Sequence, residues 1–199
     1  MNNNLSTAST SRKFGTRQLT MIGMLSAISI VLGATGYGFI PLPMIKATIL
    51  HIPVIIGAVL EGPIVGAMIG LLFGLFSLIQ NYVAPSSALF FALQNPLVSV
   101  LPRILIGITA YYTYKYMFSK NELIKIGTAA VIGTLTNTLG VLTMVNFLYA
   151  DHAAKALKVT TATVSKVIYA IALTNGIPEA IVAVIITVPV VMTLKKIRK

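Results

Sequence analysis

The chain has 199 residues, of which 56% are hydrophobic and only 10% carry a charge. About a quarter of the residues in a soluble domain are charged, so this composition excludes an ordinary soluble protein and favours a bilayer protein. The net charge of +11 does not indicate a nucleic-acid partner, because the basic residues flank apolar segments, as they do in membrane proteins.

Six apolar segments are candidates to cross a membrane, and only helices satisfy their backbone in lipid. They cover approximately residues 19–35, 46–60, 64–82, 97–117, 124–148 and 164–194. The predicted fold is therefore an all-α integral membrane protein with six transmembrane helices in a single compact bundle. The second segment is short, because about 15 residues rise only about 22 Å against a hydrocarbon core of about 30 Å.

The distribution of lysine and arginine predicts the orientation of this bundle. With both termini in the cytoplasm, ten basic residues lie inside and five outside, which agrees with the positive-inside rule. The outer five are Lys46, Arg103, Lys155, Lys158 and Lys166. Residues 1–16 are predicted to be a disordered cytoplasmic tail before a retained first span, and residues 17–199 one substrate-binding membrane domain. The first span is expected to be retained because it is longer than the apolar core of a signal peptide.

The second segment contains residues that are unusual in an apolar helix. Pro53 is expected to loosen this helix just after His51, and Glu61 to be a solvated residue of a cytoplasmic turn. A buried histidine in a membrane needs a partner or a cavity. His51 is therefore either bonded to a neighbouring carbonyl or placed at the lip of a cavity.

Polar residues gather in the half of the bundle that the topology places outside. They are Lys46, Thr48, His51, Gln80, Asn81, Ser86, Ser87, Gln94, Asn95, Arg103, Asn146, Asp151, Asn175 and Glu179. The inner half is almost purely apolar, with Asn137 as the main exception. This asymmetry predicts one cavity open to the outside and closed below by apolar packing, rather than a channel.

Between the third and fourth spans, two prolines bracket "SSALFFALQN", which predicts a short helix dipping into the outer leaflet. We expect Tyr82 and Phe90 to provide apolar walls for a ligand, and Gln94 and Asn95 to provide hydrogen bonds, together with Asn81 at the end of the third span. The alternative for these aromatic residues is an interfacial belt.

Arg103 is the most costly residue to bury, because an arginine inside a membrane must be paired, hydrated or able to snorkel. Its planar guanidinium suits a carboxylate or phosphate, and Lys46 could assist at the mouth of the cavity. An internal partner is also available in Glu179. Asn175 and Glu179 lie one turn apart on the last span, with Pro178 between them, and either line the cavity or pair internally.

Enzymatic chemistry has little support. The chain has no cysteine, no P-loop motif and no G-x-S-x-G, and its four acidic residues and two histidines are scattered. No enzyme activity, cofactor or metal site is therefore predicted.

The chain resembles the substrate-binding S components of energy-coupling-factor (ECF) vitamin transporters, from about residue 16 onward. The most specific match is the spacing IP-x-x-x-G-x-x-x-x-GP-x-x-G, formed by Ile52, Pro53, Gly57, Gly62, Pro63 and Gly66. The resemblance implies a bacterial cell-membrane location, a membrane-embedded coupling protein, two cytoplasmic ATPases, and toppling of the S component to release its vitamin.

In the family, an A-x-x-x-A pattern on the first helix docks the coupling protein. Here Gly23 and Ala27 form the small-xxx-small step, with Ser26 beside them, and the first position departs from alanine. Small residues let another helix approach closely in lipid, although packing within the bundle would explain them equally well.

The stretch from His51 to Leu105 resembles the pantothenate-type branch most, and the absence of tryptophan mildly disfavours thiamine or flavin. Pantothenate is therefore the expected ligand. A pyridoxine-like or hydroxymethylpyrimidine ligand is the alternative within the family. An ion-coupled secondary carrier that works alone, with Glu179 as its ion site, is the alternative outside it.

Overall fold

A computed structural model describes residues 15–40, 47–85 and 89–198, and within them the chain forms seven helices and one small hairpin. The helices are α1 (Thr16–Thr35), α2 (Ile52–Glu61), α3 (Pro63–Val83), α4 (Phe90–Leu93), α5 (Pro96–Tyr116), α6 (Glu122–Ala156) and α7 (Thr161–Ile197). The hairpin pairs β1 (Phe39–Ile40) with β2 (Ala47–Thr48) in antiparallel register, with Phe39 opposite Thr48. The predicted N-terminal tail lies outside the described residues, apart from its last two positions.

Five of these helices, α1, α3, α5, α6 and α7, are long and apolar enough to cross a bilayer. The outer surface agrees with a lipid environment. On α7, Leu173, Ile177, Ile181 and Ile185 follow one another at intervals of four residues, and each is more than half exposed. Such a stripe would be an aggregation-prone surface in water but is the ordinary outer face of a helix in lipid. The predicted integral membrane class is confirmed.

The second predicted span differs from the structure. Its helix begins at Ile52, so α2 has ten residues, and Thr48 belongs to the hairpin instead. Pro53 lies in the first turn of α2, so the prediction that it loosens a helix already under way is wrong. A proline cannot donate its backbone nitrogen and disfavours helical geometry in the preceding residue, which makes it a helix start.

Glycines provide the turn between α2 and α3 and a close helix contact further along α3. Gly62 joins the two helices with φ of 103°, a left-handed conformation that favours glycine. Further along α3, a Cβ atom at Gly70 would lie 2.1 Å from the carbonyl oxygen of Arg103. The absence of that side chain lets the backbones of α3 and α5 touch, which fixes Arg103 against the centre of α3.

The bundle has two chemically different ends. The end that carries the hairpin, α4 and the α6–α7 connection is called the cavity end, and the opposite end is called the basic end. At the basic end, the Glu61 carboxylate pairs with Arg17 at 2.9 Å and also with Arg198. The Glu61 side chain is only 8% exposed, so its interpretation as a solvated turn residue is wrong. Both described ends of the chain therefore meet at the basic end.

Two apolar clusters form the core. The larger one fills the half near the basic end and is built around α2, with Ile55, Ile69 and Ile106 among its fully buried side chains. The smaller one lies at the cavity end and combines buried residues of α4, α6 and α7, such as Ala92, Val145 and Ile168. Polar side chains lie between the two clusters, and this layer contains the candidate site.

Candidate binding cavity

A cavity opens between the two apolar clusters, and the centre of a water molecule can move through about 140 Å³ of it. One water molecule needs about 10–15 Å³ by this measure, so the space is sufficient for a small organic ligand. Its apolar walls include Phe39 of the hairpin, Phe73 of α3 and Leu142 of α6. Its polar lining consists of Thr48, Ser77, Gln80, Asn81, Arg103, Asn137, Thr138, Asn175 and Glu179.

Arg103 is buried in the wall of this cavity and is held there by its own helix. Its Nη1 donates a hydrogen bond of 2.9 Å to the carbonyl oxygen of Val98. That carbonyl lacks its usual helical donor because residue 102 is a proline. The guanidinium carbon lies 5.6 Å from the centre of the Phe73 ring, and Nε has no hydrogen-bond partner among the described residues. Arg103 thus presents a positive charge with donor capacity to spare.

Glu179 lies in the same wall but is fully bonded to the protein. Its Oε1 accepts from the backbone N–H of Thr48 at 2.6 Å, and its Oε2 accepts from the hydroxyl of Thr138 at 2.7 Å. Over the described ranges, Arg103 and Glu179 form no ion pair with each other. The internal partner considered for Arg103 is therefore engaged elsewhere.

Two asparagines contribute polar groups that have no hydrogen-bond partner among the described residues. The Oδ1 of Asn137 on α6 is buried and has no hydrogen-bond partner within the part of the chain that the structure describes. The amide of Asn175 on α7 lines the same space and likewise forms no hydrogen bond there. Asn137, the polar exception of the predicted inner half, lies in the cavity wall, so the cavity extends to the depth of this residue in α6.

Three of the predicted ligand-binding residues join α4 to the end of α3. Asn81 lines the cavity, and its side-chain nitrogen donates to the carbonyl of Ser77. Gln94 donates to the backbone oxygen of Asn81, and the Tyr82 hydroxyl donates to the backbone oxygen of Gln94. Gln94 and Tyr82 therefore anchor α4 and do not reach the cavity wall.

Asn95 and Phe90 also lie away from the cavity. Asn95 caps the first turn of α5 through the backbone N–H of Leu97, and its amide nitrogen donates to the hydroxyl of Tyr149. Phe90 is partly exposed on the far side of α4. The apolar contribution of this segment comes instead from Leu89 and Leu93, which do line the cavity.

The second segment contributed two further predicted site residues, His51 and Lys46, and neither is among the described residues that line the cavity. His51 is completely buried, and its Nε2 forms a hydrogen bond of 2.9 Å with the hydroxyl of Thr134. It packs inside the bundle and does not face the cavity. Lys46 lies outside the described residues.

Comparison with known proteins identifies the family. The model of the family described as "ECF transporter, substrate-specific component" matches residues 17–191, which is most of the chain. The chain belongs to this family. It is therefore a multi-pass membrane protein and an S component, as the glycine–proline motif of α2 and α3 predicted.

Two curated proteins are similar to this S component. The Pantothenic acid transporter PanT of Lactococcus lactis subsp. cremoris is 37% identical over 171 residues, covering 79% of this chain and 82% of that protein. The Pantothenate transporter PanT of Leuconostoc mesenteroides subsp. mesenteroides is 34% identical over 120 residues, covering 55% of this chain and 59% of that protein. Their names agree with the branch that the sequence resembles most.

The predicted docking residues of the S component do not all share one face of α1. Gly23 and Ala27 are exposed on the outer surface, and a Cβ atom at Gly23 would meet nothing within 4 Å. Ser26 is buried and points into the bundle. A partner helix that approaches α1 from outside would therefore contact Gly23 and Ala27 and not Ser26.

Several lining residues were not predicted as site residues, namely Thr48, Ser77, Gln80, Asn137 and Thr138. Thr48 and Gln80 belong to the polar set of the outer half, so a sequence signal existed for them. Ser77 and Thr138 had no such signal, because serine and threonine are common in membrane helices, where their hydroxyls bond the backbone.

Proposed function

We propose that this S component captures pantothenate in the cavity, with Arg103 next to the ligand carboxylate. The observation that carries this proposal is a buried guanidinium in the cavity wall that has no carboxylate partner among the described residues. A buried cation that forms no ion pair is costly in a membrane, and an anionic ligand would lower that cost. The names of the two similar proteins support the same ligand.

The remainder of the cavity suits the remainder of this ligand. Pantothenate has an amide, two hydroxyl groups and a pair of methyl groups besides its carboxylate. Asn137 and Asn175 offer amide donors and acceptors that the described protein leaves unused, and Ser77 and Asn81 lie in the same wall. Phe39 and Leu142 offer apolar surface for the methyl groups. A mostly apolar pocket with a few placed polar groups is typical of small-ligand sites.

The proposed topology has six crossings, a cavity open to the outside, and both termini in the cytoplasm. The hairpin descends into the bundle beside α1, because the Ser29 hydroxyl bonds the carbonyl of Leu50, six residues or about 9 Å before the end of α1. The hairpin segment and α2 together would then complete the second crossing. The meeting of Arg17 and Arg198 at Glu61 and the excess of basic residues at that end support a cytoplasmic basic end.

The proposed assembly contains a membrane-embedded coupling protein and two cytoplasmic ATPases in a bacterial cell membrane. An S component without a P-loop cannot hydrolyse ATP through that motif, so ATP-driven uptake would need partner subunits. The exposed face of α1 around Gly23 and Ala27 is the proposed contact with the coupling protein, because small residues permit close approach of another helix.

The test is to identify the ligand and then vary its charged group. Mass spectrometry of the purified S component is expected to detect pantothenate. Calorimetric titration should then show much weaker binding of the neutral alcohol that has a hydroxymethyl group in place of the carboxylate. Equal affinity for acid and alcohol, or a co-purified neutral pyridine or pyrimidine, would contradict the pantothenate assignment and leave the family assignment intact.

A further inference from the structure

We infer that Glu179 is a positioning residue that fastens the hairpin wall of the cavity to α6 and α7, and that this fastening slows ligand release. In this role Glu179 acts through the hairpin, by accepting hydrogen bonds from Thr48 and Thr138. The inference rests on the proposed function, because it concerns the release of the ligand that the cavity takes up.

The hairpin is attached on two opposite sides. On the α1 side, the Ser29 hydroxyl donates to the carbonyl of Leu50, and the backbone N–H of Gly38 donates to the carbonyl of Leu32. On the far side, the bond from Thr48 to Glu179 is the one hydrogen bond that links the described part of the hairpin to α7. Without it, the described part of the hairpin would keep only its packing against α7 and no hydrogen bond to that helix.

This second attachment closes one side of the cavity. Phe39, Thr48 and Leu50 of the hairpin segment line the cavity, and so does Glu179. A two-stranded ribbon of this length is not stable on its own, and an edge strand has unpaired backbone groups that need partners. Loss of the Glu179 acceptor would therefore let the hairpin separate from α7 and open a route for the ligand.

The geometry of Glu179 favours the positioning role over an ion site or a ligand contact. Each carboxylate oxygen already accepts a short hydrogen bond, one from a backbone N–H and one from a hydroxyl. These two bonds leave Glu179 with fewer free lone pairs for a cation or a hydroxyl group of the ligand. In this arrangement Glu179 contributes two placed acceptor oxygens. An uncharged glutamine can supply one of them.

The decisive experiment measures the release rate of radiolabelled pantothenate from the full-length protein in lipid nanodiscs. Hydrogen bonds to charged groups are stronger than those between neutral groups. Because Glu179→Ala loses such a bond to the hairpin, this variant should release the ligand at least about tenfold faster than the wild type. Glu179→Gln retains an acceptor for the Thr48 N–H and should restore most of the slow release. Glu122→Ala removes a carboxylate at the basic end, far from the cavity, and is the matched control with unchanged release.

A second pair of variants tests the same bond from the donor side. Thr48→Pro removes the backbone N–H, whereas Thr48→Ala loses the same hydroxyl and keeps the N–H. Thr48→Pro should release the ligand faster than Thr48→Ala. The ratio of these two release rates should be similar to the ratio between Glu179→Ala and Glu179→Gln. This pair keeps the inference testable if Glu179→Ala does not fold.

A further measurement needs no ligand. Hydrogen exchange of the peptide containing Thr48 should be faster in Glu179→Ala than in Glu179→Gln. Equal exchange in the two variants, or release from Glu179→Gln as fast as from Glu179→Ala, would overturn the inference and favour a role for the charge itself. Failure of the wild type to bind pantothenate would instead count against the proposed function, while the exchange measurement would still decide the role of Glu179.

Discussion

The guanidinium of Arg103 donates a hydrogen bond to the carbonyl oxygen of Val98 in the preceding part of the same helix. Pro102 creates this acceptor by removing the backbone donor that Val98 would otherwise have. The proline that breaks the helical bond and the arginine that uses the freed carbonyl are adjacent in sequence. The charged group is therefore oriented before any ligand arrives, and such preorganisation lowers the cost of binding.

We predict that Arg103→Ala weakens pantothenate binding by at least about 30-fold, because truncating the partner of a buried carboxylate costs roughly 2–5 kcal/mol. Arg103→Lys should lose less, since it keeps the charge but not the planar fork. Lys166→Ala, which removes an exposed cation from the same end of the bundle, is the control. Calorimetry decides the matter, and an Arg103→Ala protein with wild-type affinity would exclude the proposed carboxylate contact.

Asn137 and Asn95 should respond to alanine substitution in opposite ways. Asn137→Ala should weaken ligand binding without lowering the melting temperature, because its oxygen is buried and unpaired among the described residues. Asn95→Ala removes the cap of α5 and should lower the free energy of unfolding by about 0.5–2 kcal/mol. Thermal unfolding and ligand titration of both variants test the contrast. A large loss of stability in Asn137→Ala would indicate a structural role instead.

Gly23→Leu and Ala27→Leu should abolish uptake by the assembled transporter and leave ligand affinity nearly unchanged. Both positions face outward and lie away from the cavity, so the added bulk would block the partner and not the pocket. Ala170→Leu places the same side chain on the exposed face of α7 and is the matched control. Loss of binding together with normal assembly would mean that α1 belongs to the site.

The S component reconstituted alone in liposomes should bind pantothenate but not accumulate it. It has no P-loop, and the buried carboxylate of Glu179 is occupied by Thr48 and Thr138. Uptake assays with ATP inside, and with a proton or sodium gradient, provide the comparison. Concentrative uptake without partners would support an ion-coupled secondary carrier.

The sequence predicted the parts of this structure that depend on strong local signals. Charged or amide side chains inside apolar helices are costly, so Arg103 and Asn175 stood out and both line the cavity. The long helices followed from hydrophobicity, although α6 extends beyond its predicted end to Ala156. That extension is kinked at Tyr149, where φ is −139°.

Other parts depend on contacts that one sequence does not reveal. An asparagine that follows a loop can cap a helix or line a pocket, and Asn95 does the former. Asn137 was not predicted as a site residue, because one sequence does not reveal how far the cavity reaches into the bundle. The hairpin has only two residues in each strand, which is too short to produce a periodic pattern.

Arg17 and Arg198 both form a salt bridge with Glu61, so residues near both described ends of the chain lie side by side at the basic end. A fluorophore or a surface anchor attached at Arg17 or Arg198 would therefore lie at the basic end of the bundle. The cavity end would stay clear of the attachment, so protein immobilised through either residue would keep its candidate site away from the support.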